Sequence, residues 1–144
     1  MTTAAQTATP ATETGFLRLL THALAGGAIA AVVNLVLFFG TRAAGVVFTG
    51  EFQPGATSEL PVPAIAISSI VPGVVAALVA LAFRKFTAAP ARNFAILAGV
   101  FTVLSFGGPP NVAHLGTAAI VVMELMHVVA AVGIAGALVK ALRS

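Results

Sequence analysis

The stretch AIVVMELMHVVAAVGIAGALV, residues 119–139, is apolar almost throughout, yet Glu124 and His127 sit in its middle. The whole chain has only four acidic residues in 144, so an acid in this setting is the first place to look for chemistry. On a helix the two side chains are i,i+3 neighbours and share a face. Glu-x-x-His at that spacing is half of a di-iron carboxylate site. The second half is missing, because no other Glu or Asp lies in an apolar stretch, so no metal is expected. Haem held by two His residues would need a mate for His127 at matching depth. His22 lies toward the opposite end of its own apolar stretch and off the face of Asn34, and it reads as interfacial. His114 reads as a loop or capping residue. No cofactor is therefore expected. Nucleophilic catalysis would need Ser69 or Ser105 beside His127, which spacing alone leaves open. Hydroxyls in such stretches usually serve helix packing, so no catalytic residue is assigned.

A charged side chain at mid-membrane costs about 2.5–3.5 kcal/mol on insertion scales. No Lys or Arg lies at the depth of Glu124 to offset this. The acid is therefore expected to be neutral and hydrogen-bonded. Two roles fit: a site that binds a proton or a small ligand, or a hydrogen-bonding group that joins helices.

The elements that must hold these groups follow from composition. The chain is 59% hydrophobic and 8% charged, against about 25% charged for a soluble domain. It cannot cover a water-facing surface, and lipid must be its main solvent. At about 20 residues per span, 144 residues allow roughly four spanning helices. Residues 1–15, rich in Thr and Ala, read as a disordered tail. ALAGGAIAA offers an A-x-A cleavage site, but the apolar run goes on to Phe39 and reads as a retained helix. Spans are expected at about 16–39, 61–83, 90–106 and 112–142, giving an all-α integral membrane four-helix bundle. Residues 40–60 form a polar connection, in which VVFTGEFQ is either a short hairpin or a re-entrant piece. RKFTAAPAR is a tight basic turn, and GGPPN breaks the third helix from the fourth. There is no internal repeat. Without Cys, disulfides and thiol chemistry are excluded. Arg18, Arg84, Lys85, Arg92, Lys140 and Arg143 fall on one side, and only Arg42 on the other. By the positive-inside rule both termini are expected in the cytoplasm. The basic excess thus belongs to membrane topology, and no nucleic acid is expected as a partner.

At 100° per residue each span divides into two stripes. Ala23, Gly27, Ala30 and Asn34 share a face in the first, and Ser69, Gly73, Ala76 and Ala80 in the second. Ala95, Ala98, Thr102 and Ser105 lie together in the third, and Thr117, Ile120, Glu124, His127 and Ala131 in the fourth. Helices in lipid associate through small residues and hydrogen bonds, so these stripes are expected to face one another. Gly133 and Gly136 lie off the fourth stripe and suggest a second contact, with another copy of the chain as one candidate. Glu124 and His127 fall within roughly 5 Å of the midplane, and Asn34, Ser69 and Ser105 about 5–10 Å from it in the outer half. Five polar groups are thus expected at one level. Pro72 removes the helical partner of the Ser68 carbonyl, an acceptor that a protonated Glu124 or a water could satisfy.

Four short spans, LSFGGPP closing the third and VVMELMHVVAAVGIAGAL in the fourth, resemble the domain-of-unknown-function 6069 family of small bacterial membrane proteins. Leu125, Met126 and His127 match its Leu-Met-His triplet after a Gly-Pro break. The resemblance implies a four-helix fold in the bacterial plasma membrane and carries no activity. The expected function is non-enzymatic: Glu124, His127, Asn34, Ser69 and Ser105 bind a small ligand or a proton, or support a complex with a second copy or a membrane partner. The alternative is an intramembrane enzyme, or a redox or metal-binding protein, using Glu124 and His127.

Overall fold

The computed structural model describes residues 11–144. Helices α1 (Ala11–Ala43), α2 (Val62–Phe86), α3 (Pro90–Ser105) and α4 (Thr117–Arg143) run up and down in turn. A hairpin of β1 (Thr49–Gln53) and β2 (Ala56–Glu59) is set between α1 and α2. Among the described residues four apolar stretches are long enough to cross a membrane, so the chain is an all-α membrane protein with a four-helix architecture. α3 is the short one. Its 16 residues span about 24 Å, less than a hydrocarbon core of about 30 Å. The apolar stretch continues to Asn111 through one 3-10 turn, Pro109–Asn111.

The boundaries differ most from those expected at two places. Residues 1–10 of the expected tail lie outside the described residues, but from Ala11 the chain is already helical. At the other end, α4 starts at Thr117 instead of residue 112. Pro109 and Pro110 enforce the 3-10 turn, and His114 sits in the left-handed region at φ 63°. No helix can propagate through that conformation. VVFTGEFQ is resolved as a hairpin strand. Pro54 and Gly55 form its turn, with Gly55 at φ 75°, the positive φ that the third position of a type II turn requires. The Glu51 N–H donates to the Ala113 carbonyl at 2.8 Å, which ties the hairpin to the loop before α4.

α1 is the central helix, packed against α2 on one face and α4 on another, while α3 packs on α4 and α2 without touching α1. Adjacent glycines let α1 serve both neighbours. A Cβ at Gly26 would collide with the carbonyl of Gly133 in α4, and one at Gly27 would lie 2.9 Å from the carbonyl oxygen of Ser69 in α2. The second contact expected of Gly133 is therefore made inside the chain, on α1. Gly136 has nothing near its missing side chain.

The inward stripes of α1 and α2 are as expected except at Ala76, which is half-buried while Ala77 is fully buried. Ala23, Gly27, Ala30, Asn34, Ser69, Gly73 and Ala80 are buried, whereas Ile29, Val32, Val36, Ile67, Val71 and Leu78 are exposed, facing lipid. α3 and α4 require correction. In α3 Ala95 is exposed and Phe94 is the buried anchor, edge-on to Phe83 of α2 at 6.4 Å. In α4 the buried face is Ala119, Met126, Ile134, Leu138 and Ala141, not the stripe of Glu124 and His127. Small residues there meet the backbone of α1, which outweighs the pull of polar side chains toward the interior.

Two apolar clusters close the bundle at its ends. Leu19, Ala23, Ala77, Ala80, Phe94, Ile134, Leu138 and Ala141 pack at the basic end. Phe38, Phe48, Ile65, Leu115, Ala119 and Met126 pack beneath the hairpin. At the basic end Arg18 donates to the Ala141 carbonyl at 2.5 Å. That carbonyl lies in the last turn of α4, where no helical donor remains and a cation is favoured. At the hairpin end Arg42 pairs with Glu59 at 2.8 Å.

Candidate functional site

Between the two apolar clusters lies a polar layer. Asn34 of α1 and Ser69 of α2 are the two buried polar side chains among the described residues, each 2% exposed. Asn34 Nδ2 donates to Ser69 Oγ at 3.0 Å and to the Met126 carbonyl of α4 at 3.1 Å. One amide thus joins three helices. Ser69 Oγ in turn donates to the Ile65 carbonyl at 2.7 Å. These bonds fix the orientation of the Asn34 amide. A carbonyl oxygen can only accept, so the group facing Met126 is the NH2. Oδ1 is then left buried with no hydrogen-bond partner. Such an atom costs about 1–3 kcal/mol when nothing satisfies it.

Asn34 also lines a cavity of about 270 Å³. Its walls come from α2 (Ala64, Ile65, Ser68, Ser69) and α4 (Met123, Met126, His127, Ala130), with Leu60 at the hairpin end. α1 forms the back, so the cavity opens on the side away from α1, between α2 and α4. No residue of α3 lines it. His127 Nδ1 lies 2.7 Å from the Met123 carbonyl. That partner can only accept, so Nδ1 carries the hydrogen and the neutral ring presents Nε2 as an acceptor. Pro72 has no N–H, so the Ser68 carbonyl has no partner one turn on.

Of the five expected site residues, Asn34, Ser69 and His127 meet at this cavity, while Glu124 and Ser105 do not line it. Ser105 donates to the Thr102 carbonyl one turn back in α3. Glu124 is half-buried and lies about 160° round α4 from Met126, so it looks away from Asn34. Its Oε2 is buried and unpartnered. His22 bonds back to the Arg18 carbonyl at 2.7 Å near the basic end, and His114 is exposed in the loop before α4. No three His, Asp or Glu side chains cluster among the described residues.

Sequence reasoning missed the apolar wall, although it had marked the freed Ser68 carbonyl. The signal was present: Met123 and Met126 flank Glu124 and precede His127, and Met is the side chain that fills irregular gaps. Ser68 stands four residues before Pro72, the spacing that frees its carbonyl.

A family model described as a family of unknown function (DUF6069) matches residues 15–144, most of the chain. No curated protein and no solved structure matches the chain.

Proposed function

The chain belongs to this family of unknown function, DUF6069, and we propose that it is a small-molecule-binding membrane protein whose ligand occupies the cavity between α2 and α4. The single observation that carries this is Asn34, a residue of the cavity wall whose Oδ1 is buried in the three-helix junction behind that wall without a hydrogen-bond partner. Polar groups at such depth are expensive, so an acceptor left there without a partner supports a bound group. The rest of the lining is mainly apolar with a few polar groups, the usual make-up of a ligand pocket. The activity is binding or carriage, with no catalytic residue assigned.

Filling the cavity tests this. Ala130 lines it from α4, and Ala130→Phe places a ring in it. Protein purified from membranes is extracted and its small molecules are identified by mass spectrometry. A compound carried by the wild type and lost from a folded Ala130→Phe variant is the expected result. The same complement from both proteins would overturn the reading.

The membrane is proposed to be a bacterial plasma membrane, with the basic end at the cytoplasm and the hairpin outside. Six Lys and Arg residues at one end against Arg42 at the other support that orientation. The cavity then lies in the outer half. Glu124 lies outside the cavity, and its buried, unpartnered Oε2 supports a separate role as a hydrogen-bonding group of α4.

A further inference from the structure

Resting on the binding reading above, we propose that the cavity selects neutral ligands that donate a hydrogen bond, small alcohols or phenols on an apolar body, over molecules of the same shape that cannot donate.

A census of its polar atoms carries the inference. Asn34 Nδ2 has two hydrogens, and both are spent, on Ser69 Oγ and on the Met126 carbonyl. The Ser69 hydroxyl hydrogen is spent on the Ile65 carbonyl at 2.7 Å. The Ser68 hydroxyl donates to the same carbonyl at 3.2 Å. The His127 Nδ1 hydrogen is spent on the Met123 carbonyl. Every side-chain donor on the wall is therefore engaged within the protein. The groups left over are acceptors: Asn34 Oδ1, His127 Nε2 in the neutral ring, and the Ser68 carbonyl freed by Pro72. A carbonyl, ether or nitrile entering the cavity would find no donor. A hydroxyl would find His127 Nε2, and Asn34 Oδ1 once the wall that covers that atom shifts.

Charge and size narrow the class further. No Asp or Glu lines the cavity, so a cation would enter a mostly apolar space without a counter-charge, a placement that burial disfavours. A neutral donor avoids this. The volume of about 270 Å³ is just below the usual range of ligand pockets, about 300 to 1,000 Å³. The part held inside is then about one ring or a short chain. Any longer apolar tail would leave between α2 and α4 into lipid.

Three probes test the assignment by fluorine NMR on the full chain in lipid nanodiscs, with empty nanodiscs measuring bilayer partition. Para-fluorophenol donates. Para-fluorotoluene has nearly the same shape with a methyl in place of the hydroxyl. Para-fluorobenzaldehyde only accepts. The phenol is expected to bind at least about tenfold more tightly than either, equivalent to about 1.4 kcal/mol, after correction for partition. Asn34→Ala is expected to bring that preference close to one. Binding of all three without preference would overturn donor selection and leave the binding reading standing. A preference for the phenol that persists in Asn34→Ala would overturn the role of Asn34. No protein-dependent signal from any probe would overturn both the inference and the reading it rests on. If Asn34→Ala does not fold, Ser68→Ala serves as a folded control that should keep the preference, and the wild-type ratio decides.

Discussion

Glu124 is the most conspicuous residue in the sequence, but Asn34 occupies the structural centre. The difference is physical. A carboxyl in an apolar run announces itself by cost, while the importance of an amide depends on which backbone carbonyl it reaches. Asn34 and Ser69 were legible as members of small-residue stripes. The Met126 carbonyl was not, because a main-chain acceptor on another helix leaves no mark in residue identity. Glu124 keeps a testable role of its own. Its neutral isostere Gln preserves shape, so Glu124→Gln is expected to unfold in detergent within about 0.5 kcal/mol of wild type, as for a substitution outside the packed core. A much larger loss would show that the carboxyl joins helices.

At the scale of elements, the contrast between α1 and α4 explains what the sequence could reveal. α1 and α2 each present one small-residue stripe, so a period of 3.6 finds the buried side. α4 carries two competing signals, a polar flank with Glu124 and His127 and a small-residue face with Gly133. Packing of Gly133 on Gly26 wins because in lipid close backbone approach drives association. α3 gave the weakest signal, since Phe94 is its one fully buried residue. The glycines turn this into a prediction. Gly26→Leu would force a side chain into the Gly133 carbonyl and is expected to cost at least about 2 kcal/mol, in the range of overpacking penalties. Gly136→Ala meets nothing within 4 Å and is expected to be neutral or to stabilise by up to about 1 kcal/mol through helix propensity. Unfolding in mixed micelles distinguishes them. Equal stability of the two variants would refute the α1–α4 packing assignment.

At the scale of the whole molecule, composition determined the solvent and the number of helices. Charge asymmetry suggested an orientation, and the cavity emerged only from three-dimensional packing. Its walls come from α2 and α4 with Asn34 of α1 behind them, and no α3 residue lines it. The orientation is open to direct measurement: compartment-specific reporters fused at Ser144 and inserted at Pro54 are expected to report cytoplasm and exterior respectively. An exterior signal from Ser144 would invert the bundle and move the cavity to the inner half. The central claim, that the cavity is a binding site, is tested most directly by photolabelling. A phenol bearing a diazirine is irradiated with the protein in nanodiscs, and labelled residues are mapped by mass spectrometry. The account predicts labels concentrated at Ser68, Met123, Met126 and His127 that excess unlabelled phenol removes. Labels spread over lipid-facing Ile29, Val71 and Val132, with no competable set around Asn34, would contradict it.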